Sequence, residues 1–334
     1  MVQGNLHRWL ICAAAVLVAG QGIAQTAPAQ IPAESVNPPP HVGTWPDLRT
    51  GQTEGMREAS YGLGPELQRG QTARAMLAER RRLDGALAAL RPQRAGTVDV
   101  FVIAVALDSD PVFAREAREA GNVLGRRYNA DGRTLVLAGP DGRSSGLPKG
   151  SLTSLSLALA RVAELMDPTE DVLVLYSTSH GAPMGLAYHD GDTGYGILAP
   201  ARLTTLLGEL GIRRRIVLLS ACYAGVFVAP LASADSVILT AAASDRPSFG
   251  CQAENDWTFF GDALINRALR RNQPLAAAAR EAQGTISGWE SASNLDPSRP
   301  QVWVGTAAAA WLGPLEAQIP REETQPVGRP AVGG

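Results

Sequence analysis

Apolar residues along this chain fall into two alternating patterns. Short, nearly unbroken runs of β-branched residues and leucine occupy 98–107, 134–137, 171–178, 215–220, 236–240 and 301–304. Runs of this length, closed by small or turn-forming residues, predict strands buried on both faces, as in a parallel sheet. Between them lie longer stretches with apolar residues at helical spacing, at about 111–127, 151–165, 201–210, 257–270 and 274–289. Asp110 ahead of Pro111 offers an N-cap with proline at the first helical position. Ser151 caps a helix that carries Leu152, Leu155, Leu159, Val162 and Leu165 on roughly one face. Strand and helix alternate without an internal repeat. The pattern predicts one three-layer α/β domain over residues 97–312, with right-handed crossovers placing helices on both faces of the sheet.

The flanks read differently. Residues 1–24 hold His7 and Arg8, an apolar run from Trp9 to Ala19 and the small residues of Gly22-Ile-Ala24, a signal-peptide pattern too short to span a bilayer comfortably. Export to the periplasm or beyond is therefore expected, and no membrane span after cleavage. Residues 25–60 read as a Pro-rich linker. Residues 61–96 read as a helical extension, in which Leu67, Met76, Leu83, Leu87 and Leu90 form a stripe that packs on the main domain until Pro92 ends the helix. The Pro-rich tail, 313–334, is expected to be disordered. The 334 residues carry a formal charge of −2, which gives no reason to expect a nucleic-acid partner.

Candidate chemistry sits at two strand ends. One strand runs into His180-Gly181 and another into Ala221-Cys222. In open α/β sheets, sites gather at the carboxyl ends of the strands, and a thiol becomes a nucleophile when a nearby base or cation favours the thiolate. If the two strands are neighbours, imidazole and thiol face each other across the sheet top. Once the leader is removed, Cys222 and Cys251 remain. They are either a disulfide, which would mask Cys222, or a free catalytic thiol with a second thiol nearby.

The two strand ends, in this order, resemble those of the legumain-type cysteine peptidases. The resemblance continues through Leu239-Thr-Ala-Ala-Ala-Ser-Asp-Arg-Pro-Ser-Phe-Gly-Cys251 and Phe260-Gly261-Asp262, and covers roughly 98–270. It implies a caspase-like three-layer α/β/α sandwich with a mostly parallel sheet, and a cysteine endopeptidase that needs no cofactor. Cys222 would be the nucleophile and His180 the general acid/base, working as a dyad. The backbone N–H groups of Gly181 and Cys222 would form the oxyanion hole. Asp262 would be the acid of the specificity pocket, which favours a polar residue (Asn, Asp or a basic one) before the scissile bond. Tyr223 stands where the family carries an acidic residue, and Ala114 stands where it carries a pocket arginine, with Arg115 next to it. Ser220, Tyr223 and Arg115 complete the expected substrate-binding set, and the partner is a peptide or protein substrate. A transpeptidase using the same dyad, or a non-catalytic peptide-binding protein of this fold, are the alternatives.

Other motifs carry less. His189, Asp190 and Asp192 lack the spacing of calcium or zinc ligands, so a polar turn or β-hairpin near the cleft rim is expected and no metal. Gly142-Arg-Ser144-Ser-Gly146 matches the serine-hydrolase elbow, but its loop context, with Pro148, is wrong. A redox role would rest on Cys222 and Cys251 alone, without a Cys-x-x-Cys motif.

Overall fold

A computed structural model of the chain describes residues 51–62, 70–139, 146–191, 193–252 and 254–332. The expected leader, most of the linker, Leu67, the core of the elbow motif and Asp192 lie outside these residues.

In chain order the elements begin with α1 (Glu54–Gly62), α2 (Ala73–Ala88), β1 (Val100–Ala106), α3 (Pro111–Arg127), β2 (Thr134–Leu137) and α4 (Leu152–Leu165). Next come β3 (Val172–Thr178), β4 (Gly181–Ala182), β5 (Gly185–Asp190), β6 (Gly194–Leu198), α5 (Pro200–Glu209) and β7 (Arg215–Ser220). The chain continues through α6 (Val228–Leu231), β8 (Ser236–Thr240), a π-helical stretch (Gly261–Arg267), α7 (Leu275–Ala292), β9 (Gln301–Val304) and α8 (Ala308–Glu316). Helix α1 lies mostly inside the segment expected to be a linker, and α2 lies within the expected helical extension.

Six strands form one sheet in the order β2-β1-β3-β7-β8-β9. The first five are parallel and β9 pairs antiparallel with β8 at the edge. Every residue of β1, β3, β7 and β8 is buried, which accounts for their unbroken apolar runs. Successive side chains of a strand point to opposite faces, so each strand serves two cores. Val100, Val102 and Ala104 pack with α3, the π-helical stretch and α7 on one face. Phe101, Ile103 and Val105 pack with α4 and α5 on the other, where α2 adds Leu83. The result is the expected three-layer α/β/α sandwich. Met76, from the expected stripe of α2, is instead exposed.

The register aligns the carboxyl ends of the central strands. Ala106 pairs with Thr178, and Thr178 with Ser220, so β1, β3 and β7 finish side by side. The acids at the opposite end are structural. The Asp99 carboxylate accepts from Arg94 N at 2.6 Å and is paired with the Arg133 guanidinium, while Asp171 Oδ1 accepts from Asp99 N at 2.7 Å.

Through residue 332 the tail is held against the domain, where the sequence suggested disorder. Helix α8 buries Trp311 and Leu315 in the α3 face of the core. The extended segment beyond it is hydrogen-bonded to the domain: Trp257 Nε1 donates to Val327 O at 2.8 Å, and Val327 N donates to Asn266 Oδ1 at 2.9 Å. Proline removes N–H donors but leaves carbonyls to accept, so a Pro-rich segment can still be held by donors from the domain. Among the described residues, no helix is long and apolar enough to cross a membrane.

Candidate active site

His180 and Cys222 are brought together by the pairing of β3 with β7. Just beyond Thr178 and Ser220, Ser179 N donates to Ser220 O at 3.2 Å. The next residues are in backbone contact: a Cβ added at Gly181 would lie 2.0 Å from the Cys222 carbonyl oxygen. Glycine is thus required at 181 by the approach of the second strand end. Gly181→Ala should lower kcat/KM by at least about a hundredfold, because forcing the strand ends apart by an ångström is enough to spoil alignment of reacting groups. An unchanged kcat/KM in a variant with a cooperative melt would contradict this.

The His180 ring is half-buried. Its Nε2 lies 3.3 Å from Asp110 Oδ2, and the Phe113 ring meets it edge-on with centroids 5.1 Å apart. Its pKa is raised to about 9, first by a hydrogen bond with the Cys251 thiol and then by the one with Asp110, against the opposing effect of burial. The imidazole is therefore positively charged at neutral pH, and it stabilises negative charge beside it. Asp110 does precede α3, but its side chain makes no capping bond. The carboxylate reaches His180 instead.

Cys222 is held by the loop that follows β8. Ser248 N donates to Cys222 Sγ at 3.2 Å, and the thiol faces Ser248 O at 3.4 Å. An N–H aimed at sulfur fixes the position of the side chain. The next residue, Tyr223, has a left-handed backbone (φ 57°), and its N–H donates to Arg246 O at 2.8 Å. A non-glycine residue in this region is strained, and such strain is commonly held at functional turns. Cys222 and Cys251 are both free thiols, so the disulfide alternative is not the state seen.

A buried network lies on the α3 side of the sheet. Glu116, fully buried, accepts from Tyr176 OH at 2.5 Å and from Thr258 N at 2.8 Å. Thr258 Oγ1 shares a hydrogen bond with Ser220 Oγ at 2.9 Å. Ser220, expected to bind substrate, is therefore a buried member of this network, facing the core because of strand alternation. Its burial leaves it no contact with a cleft.

Two other expected binding residues are also committed elsewhere. Asp262 has no exposed surface; it accepts from Asn266 Nδ2 at 2.9 Å, Arg267 Nε at 3.1 Å and Ala331 N at 2.8 Å. It fixes the π-helical stretch and the tail, and cannot meet a substrate side chain. Asp262→Ala should destabilise the fold by roughly 3 kcal/mol, since it strips a buried charge pair of one partner. Urea unfolding reads that loss, and kcat/KM per folded molecule should stay near wild type. A large drop in kcat/KM without loss of stability would restore the specificity role. Arg115 pairs with Asp256 at 3.1 Å and also donates to Asn255 O, bracing the loop downstream of Cys251. Tyr223 remains half-exposed beside Cys222.

The rim on the β1 side is the expected β-hairpin, made by β5 and β6. It is tied to the end of β1 by Ser109 N to His189 O at 2.8 Å and His189 N to Leu107 O at 2.9 Å. A cleft of about 210 Å³ opens there, with Asp108, Lys149, His189 and Asp190 among its walls. Lys149 Nζ pairs with Asp190 Oδ2 at 2.9 Å. Asp108, Asp110 and His180 bring potential ligand atoms within 4.8 Å of one another, but the same contacts also serve as a histidine–carboxylate pairing.

Sequence reasoning missed Asp110 as the partner of His180, Cys251 as its second contact, and Glu116. For Asp110 a signal existed. A carboxylate at the end of the strand beside the histidine strand is placed to reach the imidazole.

Residues 154–309, from α4 to the start of α8, match the model of the Peptidase C13 family. Among solved structures, the crystal structure of caspase-1 from Spodoptera frugiperda is similar at 12% identity with a TM-score of 0.41, covering 65% of this chain and 93% of that one. A search of curated proteins gives no match. The matched segment, a little under half of the chain, holds both His180 and Cys222 at adjoining strand ends, and over it the chain is similar to the cysteine-type peptidases of the C13 family.

Proposed function

We propose that the chain is an endopeptidase in which Cys222 is the nucleophile, His180 the acid and base, and Asp110 the group that orients the imidazole. The backbone contact between Gly181 and Cys222 is the observation that carries this reading, because it sets a histidine and a thiol at one point of the sheet. The Cys222 thiolate attacks the peptide carbonyl carbon, and the carbonyl oxygen takes negative charge near the N–H groups of Gly181 and Cys222. The C–N bond breaks as His180 gives its proton to the leaving amine. Water, losing a proton to His180, then attacks the thioester and frees the carboxylic acid product and the thiol group.

With Asp262 committed to the tail, a polar preference before the scissile bond needs another group. Arg246 is the candidate. Its carbonyl accepts the Tyr223 N–H, and its half-buried guanidinium has only a loose 3.8 Å approach to Asp245, so Asp or Asn is favoured over a basic residue. The N-terminal pattern makes this an exported enzyme, and sequencing of the mature chain should begin near Gln25.

Peptides varied at the residue before the scissile bond, quenched in acid during turnover and mapped by mass, test the assignment. An acyl group on Cys222 supports it. An acyl group on Cys251, or cleavage with neither thiol acylated, would overturn it.

A further inference from the structure

Cys251 is the element of this centre that makes and breaks no bond in hydrolysis. The residue is half-buried and packs against the cluster that holds Phe113, whose ring meets His180 edge-on. It lies three residues after Ser248, whose N–H meets Cys222 Sγ at 3.2 Å. Three residues span about 10 Å at full extension, and this segment is not extended. Gly250 takes a φ of +90°, and a Cβ there would come 2.8 Å from Phe259 N. Phe259 N donates to Phe249 O at 3.0 Å, and Asn255 Nδ2 to Gly250 O at 3.0 Å. The turn is therefore pinned on both sides while Ser248 bonds Cys222 Sγ and Cys251 packs with the cluster of Phe113, the ring that meets His180. His180 in turn is followed by Gly181, which abuts the Cys222 backbone. A short, fixed turn thus joins the residue bonded to Cys222 Sγ to Cys251.

We propose that Cys251 is a resolving thiol: oxidation of Cys222 by a peroxide closes a reversible Cys222–Cys251 disulfide that halts cleavage and spares the nucleophile from irreversible oxidation. The proposal rests on the reading of Cys222 as the nucleophile. In the first step the Cys222 thiolate attacks one peroxide oxygen and the O–O bond breaks. With one proton taken up, this gives a sulfenic acid and water. In the second step the Cys251 sulfur attacks the sulfenic sulfur, the S–O bond breaks, and hydroxide leaves with the Cys251 proton as water. Sulfur is oxidised and peroxide reduced, two electrons in all, and an external dithiol reverses the change. Closure needs Cα atoms within about 7 Å, and Cys251 stands three residues from Ser248, which is bonded to Cys222 Sγ.

The test uses the full mature chain treated with a small excess of hydrogen peroxide and digested without reduction. The expected product is a linked peptide containing Cys222 and Cys251, lighter by two hydrogens than the sum of its parts. Cleavage should be lost with it and regained on adding dithiothreitol. In Cys251→Ala the fraction regained should fall at least about fivefold, with Cys222 recovered as sulfinic acid. Cys251→Ser repeats the arm if the alanine variant melts early. Wild-type protein that yields sulfinic Cys222 and no linked peptide would overturn the proposal, as would equal recovery in the variants. The linked peptide is read by mass, so a wild-type protein that forms it yet cleaves nothing when reduced would refute the peptidase assignment and leave the thiol pairing standing.

Discussion

Cys222→Ala should lower kcat/KM for peptide cleavage by at least about 10³-fold, the scale set by deleting a covalent nucleophile. The reason is local. Cys222 is placed by the end of β7 and by Ser248 N at 3.2 Å, and alanine at this half-buried position needs no rearrangement of either. The fold should therefore survive, and thermal melting should change little. Cys251→Ala gives the contrast. It removes a contact of His180 without removing the sulfur held by Ser248, so its cleavage should fall far less. Burst kinetics with an activated ester separate the two variants, because only loss of the nucleophile removes the burst. If Cys222→Ala retained the burst and Cys251→Ala lost it, the roles of the two thiols would be exchanged.

The frame of this molecule was legible in the sequence because burial on both faces leaves unbroken apolar runs. That holds for β1, β3, β7 and β8 and for the ends that carry His180 and Cys222, whereas β9, whose apolar run also stood out, lies exposed at the sheet edge and not buried as its run suggests. What the sequence hid was pairing between distant positions. Asp262 reads as a pocket acid from its local motif, yet the partner that closes it off, Ala331 N, lies in a tail whose prolines suggest disorder. Ser220 reads as a cleft residue from its place near Cys222, but strand alternation turns it toward Thr258 in the core. Asp110 reads as a helix cap, and only the adjacency of β1 and β3 shows why it serves His180 instead. In each case the local signal was sound, and a tertiary partner reassigned the side chain.

His180 supplies the other large effect. His180→Ala should reduce kcat/KM by about 10³-fold, because it removes both the charge that favours the thiolate and the proton donor for the leaving amine. In the intact enzyme, the raised pKa predicts the alkaline side of the pH profile. Cleavage should persist above the ordinary histidine range and fall as pH rises through about 9, where the imidazolium is lost. Cys251 is the larger cause of the shift and Asp110 the second, so removing either should move the alkaline limb to lower pH, with Cys251→Ala moving it further than Asp110→Asn. Stability follows the same sign. A folded-state pKa above the unfolded value of 6.5 contributes stability that is complete below 6.5 and disappears as pH rises through about 9. The half-exposed ring keeps that contribution small, so the kinetic limb is the sharper reading. An alkaline limb that stays in place in both variants would show that these contacts do not set the charge on His180. A limb that moves only in Asp110→Asn would place the carboxylate, rather than the second thiol, as the group that holds the catalytic proton.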